Sequence, residues 1–383
     1  MSKKLNVALI GCGEIAVQNA KAVVQSTHGQ VVACFDINKT LAEDLAAQTR
    51  TAQVAHSAQG AATGLTVYDR LENCLADPAV DAVIVNTPHF LHRPQTLAAL
   101  EAGKHVLVEK PIACSVAEGR EMIAAAARAD RKLGVNFCMR YAPAIQKARE
   151  LVKQGLIGPV LSWFMVGFAN KPLSYFSGGF SGRAKSDWRQ KRATSGGGYL
   201  IMNQIHFIDF FRFITGQEIA RVKASLATLN SPPGVEVEDY AYVTLELQGG
   251  GVGCIAGGSL VPGRGPNQNL ILGAKGQIDL FLNGLKVFVT EAADGFKAGE
   301  WTDIQYEGDE WFEPRKLGVD AFCHWVQGGP EFLSPAADAL KALEVCEAAY
   351  ADAGIVPAAA APAPSVSAAA GVLPGQNAGI HIR

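Results

Sequence analysis

The first residues whose spacing carries chemistry are Gly11-Cys12-Gly13-Glu14-Ile15-Ala16, a GxGxxA run between an apolar stretch, Leu5 to Ile10, and a helical pattern. In that setting Gly11 permits a tight turn, Gly13 lets the main chain approach a pyrophosphate, and Ala16 lets helix pack on strand. Glu14 and Ile15 fall in the first helical turn, whose free N–H groups face the phosphates. Asp36 closes a second apolar stretch, the position of a carboxylate that accepts hydrogen bonds from the adenosine ribose hydroxyls. A 2'-phosphate would meet a like charge there, so the expected cofactor is NAD before NADP, with Asn38 and Lys39 as partial compensation. Thr87, Pro88 and His92 follow a further apolar run, at the carboxyl edge where ligands gather in parallel sheets, although His92 fits a loop histidine equally well. Residues 183–192 carry five basic side chains. Among them Trp188 can stack on the apolar face of a sugar, and Arg189 can offer a planar fork to hydroxyl, carboxylate, sulfonate or phosphate. Lys185, Lys191 and Arg192 read more simply as a solvated loop.

These groups need strands to hold them. From Leu5 to Cys138, short runs of Val, Ile and Ala alternate with helical patterns. The runs are Leu5 to Ile10, Gln30 to Asp36, Leu65 to Tyr68, Val80 to Asn86, His105 to Glu109 and Leu133 to Cys138. Strands without polar alternation are covered on both faces, which means a parallel sheet wrapped by helices. Helices are expected over Lys39 to Gln48, Pro94 to Ala102 and Val116 to Lys132. After Tyr141 and a linking helix to about Gln154, long strands with period-two alternation follow one another, with hairpin turns at 249–251 and 274–276, as in an antiparallel sheet. A helical pair, Val319 to Gln327 and Ala336 to Asp352, completes the pattern. The expected architecture is α/β: a Rossmann dinucleotide-binding domain over 1–138, then an α+β domain over 139–356 with a large, mostly antiparallel open-faced sheet. Apolar residues on both strand phases, such as Val243, Leu245, Ile255 and Leu270, suggest an exposed face that joins a homo-dimer or homo-tetramer. The Ala/Pro-rich tail, 357–383, is expected to lie against its own or a neighbouring subunit.

Composition limits the function classes. The 36 acidic and 34 basic residues give a net charge of −2, which provides no general field toward nucleic acid or an anionic membrane. The eight cysteines are scattered, with no CxxC pair, and read as reduced thiols of a cytoplasmic protein. The apolar start is short and closed by Glu14, so a buried strand fits better than a signal peptide, and no transmembrane helix is visible. Metal-site, P-loop and serine-nucleophile motifs are missing from the sequence.

Six further runs occur in a telling order: VIVNTPHFLH (83–92), AGKHVLVEKPIA (102–113), MRYAP (139–143), LVKQGLIGPV (151–160), SGGGYLIMNQIHFID (195–209) and LGAKGQIDL (272–280). Together they resemble the Gfo/Idh/MocA oxidoreductases, the glucose-fructose oxidoreductase and inositol dehydrogenase family, over nearly everything but the tail. The resemblance implies an active site between the two domains and a nicotinamide cofactor. It makes Lys110 the catalytic lysine, with a cis bond before Pro111, Glu109 a ligand of the nicotinamide ribose, and His206 the second catalytic candidate. Removing hydride from an alcohol carbon needs a base near the hydroxyl, and a lysine near a positive nicotinamide is expected to have its pKa lowered toward that role. Many relatives carry an aspartate four residues before this histidine; here Met202 stands there, and Asn203 and Gln204 offer amides that orient hydroxyls without taking protons. Asp209 reads as structural. Arg140 and Tyr141 either line the substrate cleft or fix the interdomain helix. Tyr175 and Phe176 are further cleft-wall aromatics, and the 183–192 loop enters the cleft if the family layout holds.

The function implied is NAD-dependent transfer of hydride from a secondary alcohol of a sugar, glycoside or cyclitol. The same chemistry without net redox makes an NAD-dependent glycosidase, which needs an extra base from His206 or a cleft tyrosine. A non-catalytic dinucleotide sensor has no need for Lys110 or His206.

Overall fold

The computed structural model describes residues 3–56, 64–263, 265–293 and 295–355. The tail at 357–383 lies outside the described residues.

The first unit alternates strand and helix: β1 (Leu5–Ile10), α1 (Glu14–Val24), β2 (Gly29–Phe35), α2 (Lys39–His56), β3 (Thr66–Tyr68), α3 (Leu71–Ala76), β4 (Ala82–Val85), α4 (His89–Glu101), β5 (His105–Val108), α5 (Val116–Ala129) and β6 (Leu133–Val135). The strands are all parallel, in the order β3-β2-β1-β4-β5-β6. The order reverses between β1 and β4, so the turns after those two strands, at Gly11 and Thr87, open the crevice in which such sheets bind dinucleotides. Helix α4 begins at His89, five residues before the expected start at Pro94, which sits inside it. The pyrrolidine removes one helical N–H, and the buried rings of His89 and His92 anchor the first turn instead.

A linking helix, α6 (Pro143–Lys153), leads to β7 (Val160–Phe168). Two one-turn helices, α7 (Tyr175–Gly178) and α8 (Arg192–Ser195), precede a π turn at Leu200–Gln204 and α9 (Ile205–Thr215). The strands β8 (Ile219–Ala227), β9 (Tyr240–Leu247), β10 (Val252–Gly258), β11 (Asn267–Gly273), β12 (Gly276–Leu280), β13 (Gly284–Val289) and β14 (Trp301–Gln305) then complete an eight-stranded sheet, ordered β14-β13-β12-β11-β7-β10-β9-β8. β7 enters at the centre and runs parallel to β10; all other pairs are antiparallel.

One expectation needs correction here. Val243, Leu245 and Ile255 lie on the inner face of this sheet, at most 2% exposed, packed in one cluster with Phe210 and Phe211 of α9. The open face carries Leu270 with Phe164, Tyr242, Val252, Phe288 and Trp301 instead. Packing also crosses the boundary expected at 138. The C-terminal helices α10 (Phe312–Val326) and α11 (Ala336–Asp352) return to the first unit. Val319, Phe322 and Cys323 share a core with Leu5, Val7, Leu9 and Val23. Leu340 of α11 fills the groove over Gly119 of α5, where a Cβ would stand 2.5 Å from its Cδ1. The return of α10 matters because it delivers Arg315 to the cleft.

Candidate active site

Between the carboxyl edge of the parallel sheet and the inner side of the second sheet lies a cleft of about 2690 Å³. That exceeds the roughly 300–1,000 Å³ of an ordinary small-ligand pocket and leaves room for a dinucleotide with a sugar.

Its dinucleotide end is built on β1 and β2. Gly11 has φ +83°, and a Cβ there would approach Thr87 Cγ2 to 2.7 Å, so only glycine makes this turn. Gly13 precedes the first turn of α1, and Ala16 is fully buried behind it. Asp36 accepts hydrogen bonds from the Cys12 and Asn38 N–H groups at 2.7 and 2.8 Å, which ties the glycine turn to the end of β2. Burial outweighs these bonds and raises its carboxyl above the ordinary range. Ile15, Thr87 and Pro88 line the same end. Glu14 lines it too, but its carboxylate accepts from the N–H groups of Phe180 and Ser181 at 3.1 and 2.8 Å. It thereby holds the 180s loop over the glycine turn. The tight turn, the close approach and the free helix end fit a bound dinucleotide.

Toward the middle, β5 delivers Glu109 and Lys110. Glu109 Oε1 accepts from Asn19, Asn136 and Arg315 at 2.9, 2.8 and 2.7 Å. Burial alone would raise this carboxyl; Arg315, Asn19 and the Lys110 charge outweigh it and hold it below the carboxylate range. The Lys110–Pro111 peptide is cis. Lys110 Nζ donates to the Met202 main-chain oxygen at 2.6 Å, and burial lowers its pKa. His92 sits behind this turn with Nδ1 2.8 Å from the Pro111 oxygen and Nε2 2.9 Å from the Thr87 oxygen. Its ring braces the two turns, with both nitrogens engaged by main chain.

The far wall comes from the second unit. His206 packs edge-on against Phe137, its Nδ1 is buried without a partner, and burial with Lys110 and Arg315 nearby keeps it neutral. The glycine run at 196–198 lets this segment close on β9: a Cβ on Gly198 would stand 1.9 Å from the Glu238 oxygen. Asn203 Oδ1 accepts from Lys171 at 2.6 Å. The Lys171 ammonium stands 3.9 Å from the centre of the Tyr175 ring, and the Tyr175 hydroxyl lies 3.9 Å from Met202 Sδ. Burial would raise this phenol, but Lys171, Arg189 and Lys110 together bring it down to about 8. Arg189 lies over the Trp188 and Tyr175 rings at 4.4 and 4.9 Å. Trp188 also packs on His89 at 4.5 Å, so the protein covers part of the ring surface expected for a sugar.

Of the two roles expected for Arg140 and Tyr141, the contacts found are those that fix the interdomain helix. Arg140 is 1% exposed and grips Asp209 with Nε and NH2 at 2.9 and 2.6 Å, and Asp338 at 2.6 Å. The Tyr141 hydroxyl accepts from Leu333 N–H, and its ring stacks on Phe332. Both fix the interdomain helix. Sequence reasoning did not find Asn19, Asn136 and Arg315, which meet Glu109 from 90, 27 and 206 residues away.

Residues 5–137 match a family described as "Oxidoreductase family, NAD-binding Rossmann fold", and residues 145–279 match the C-terminal domain of the same family. The chain belongs to the Gfo/Idh/MocA oxidoreductases. That family is described as one of NAD-binding oxidoreductases, and the chain has its sheet architecture. It is similar to 1,5-anhydro-D-fructose reductase of Ensifer adhaerens, 33% identical over 56% of this chain and 58% of that one. It is also similar to 2,7-anhydro-N-acetylneuraminate hydratase of Escherichia coli strain K12, 28% identical over 65% of this chain. The matched stretch spans 63% of the hydratase's length. A levoglucosan dehydrogenase solved with NADH and levoglucosan shares the fold, with a TM-score of 0.76, 22% identity, and coverage of 92% of this chain and 97% of that one.

Proposed function

We propose that this Gfo/Idh/MocA protein oxidises a secondary alcohol of a sugar, glycoside or cyclitol with NAD. The observation that carries the reading is Lys110: a half-buried lysine of lowered pKa, held by Met202 O near the unpartnered Nδ1 of His206. Lys110 in its neutral form takes the hydroxyl proton as the alcohol carbon becomes a carbonyl. When bound, NAD supplies the acceptor for the hydride. His206, neutral, hydrogen-bonds and orients the reacting hydroxyl. Gly11, Gly13, Ile15, Asp36, Thr87 and Pro88 hold the dinucleotide, and Glu109 takes the nicotinamide ribose while Arg315 fixes its charge. Trp188, Arg189 and Asn203 contact the sugar.

Tyr175 favours a second reading. A phenol ionising at about 8 gives the cleft another base, which a redox-neutral glycosidase needs to remove the C–H proton next to the transient carbonyl. Native mass spectrometry for retained cofactor, then a sugar and glycoside panel followed at the nicotinamide absorbance and for released aglycone, separates the two. Net reduction of NAD supports the dehydrogenase. Aglycone release without it supports the glycosidase. Neither signal on any sugar rejects both.

The open face of the second sheet, with Tyr242 49% and Val252 60% exposed, supports self-association as a homo-dimer or homo-tetramer. Eight cysteines without a disulfide support a reducing, cytoplasmic setting.

A further inference from the structure

The wall opposite the nicotinamide end collects positive charge and no negative charge to match. Lys171 is 7% exposed; its ammonium meets an amide oxygen of Asn203 and the rings of Tyr175 and Tyr199, at 3.9 and 5.7 Å. Arg189 meets only ring faces at its guanidinium carbon. Among the described residues, neither these two cations nor Lys110 forms an ion pair with a carboxylate, whereas Arg140, Arg183, Arg212 and Arg315 each do. One turn before His206, where a carboxylate would have offset them, stands Met202.

A cation withdrawn from water without a counter-charge is costly, and an amide oxygen or an aromatic face offsets that only in part. The dinucleotide is poorly placed to be the counter-ion. The arginine beside the glycine turn is Arg183, which donates to the Cys12 oxygen and pairs with Asp44. Lys171 is fixed to the second unit instead, by its N–H to the Ser259 oxygen and its ammonium to Asn203. Tyr175 lies against both cations, which draw its phenol down to about 8, so it offsets them only in part.

We propose that Arg189 and Lys171 form an oxyanion subsite, and that the sugar taken by this cleft carries a carboxylate, sulfonate or phosphate. The proposal rests on the reading of the cleft as a sugar site. Arg189 supplies a planar fork that matches two oxyanion oxygens, Lys171 supplies a point charge, and partial burial strengthens both. The group stays attached and unreacted; it sets which sugars are held.

The test is titration calorimetry on the full-length, NAD-loaded protein with a neutral methyl glucoside, its uronate, its terminal phosphate ester, its terminal sulfonate, and inorganic sulfate. At least one of the three charged sugars is expected to bind about 10- to 100-fold more tightly than the neutral one, the worth of a hydrogen-bonded charge. Arg189→Gln and Lys171→Gln should each remove most of that preference while NAD affinity stays as in the wild type. Arg189 is not part of the core, so its variant keeps the test valid if Lys171→Gln does not fold. Equal binding of neutral and charged sugars overturns the proposal, and turnover of neutral sugars in that case leaves the oxidoreductase reading standing. Sulfate binding with no gain for any sugar-borne anion also overturns it, as does a fall in NAD affinity in Arg189→Gln. Failure of every sugar to bind or react removes the sugar-site reading as well.

Discussion

Lys110 Nζ and the main-chain oxygen of Met202 lie 2.6 Å apart across the cleft, which joins the end of β5 to the π turn that carries the far wall. This bond places the lysine between the dinucleotide end and His206. Where relatives carry an aspartate, the Met202 main chain holds the lysine, and the Met202 sulfur meets the Tyr175 hydroxyl at 3.9 Å.

The turn at Gly11 is the most exacting main-chain feature of the dinucleotide end. Gly11→Ala is expected to weaken NAD binding at least tenfold, because it forces a Cβ to 2.7 Å from Thr87 Cγ2 at a positive φ worth about 1–3 kcal/mol of strain. Titration calorimetry reads this directly, and unchanged NAD affinity would show that the turn does not set the site.

NAD is expected to bind more tightly than NADP. Asp36→Ser should narrow that preference, and it should weaken both cofactors because Asp36 also receives the Cys12 N–H. Tighter NADP binding by the wild type would contradict the role of this carboxylate.

Much of the dinucleotide end was legible in the sequence because its signals are local. The glycines, Asp36 and Lys110 each follow a short apolar run, and the ends of parallel strands are where such sheets gather their chemistry. The Glu109 network was not legible, because Asn19, Asn136 and Arg315 reach it through the tertiary fold from separate elements. The facing of β9 and β10 was misread for a different reason. With apolar residues on both phases, alternation could not decide which face was inner, and the packing of α9 decided it. Tyr175 was legible as an aromatic; its proton chemistry depends on Lys171 four residues earlier and on cations brought from two other segments.

The Tyr175 phenol should ionise at about 8, below the roughly 10 of an unfolded tyrosine. The fold then favours the phenolate, so this group's contribution to stability is complete above about pH 10 and is lost as pH falls through about 8. An ultraviolet phenolate titration of wild type against Tyr175→Phe checks the value. If the lowest-pH phenolate step survives in the variant, the assignment is wrong.

Arg140→Met should destabilise the fold by about 3–5 kcal/mol, since it strands the buried Asp209 carboxylate. Denaturant unfolding measures this. A variant of wild-type stability with a raised KM would return Arg140 to the substrate.

Light scattering at micromolar protein should give a mass of two or four chains, and Tyr242→Lys with Val252→Lys on the open sheet face should lower it. A wild-type monomer would reject association through that face.

The central claim is that Lys110 carries the substrate proton. It is tested most directly by the turnover of Lys110→Met at saturating NAD, on whichever sugar the panel identifies. The side chain keeps its length and loses its proton carrier, while Gly11, Gly13 and Asp36 are untouched. Turnover is predicted to fall by about 10² to 10⁴ with NAD affinity unchanged; wild-type turnover in this variant would contradict the account.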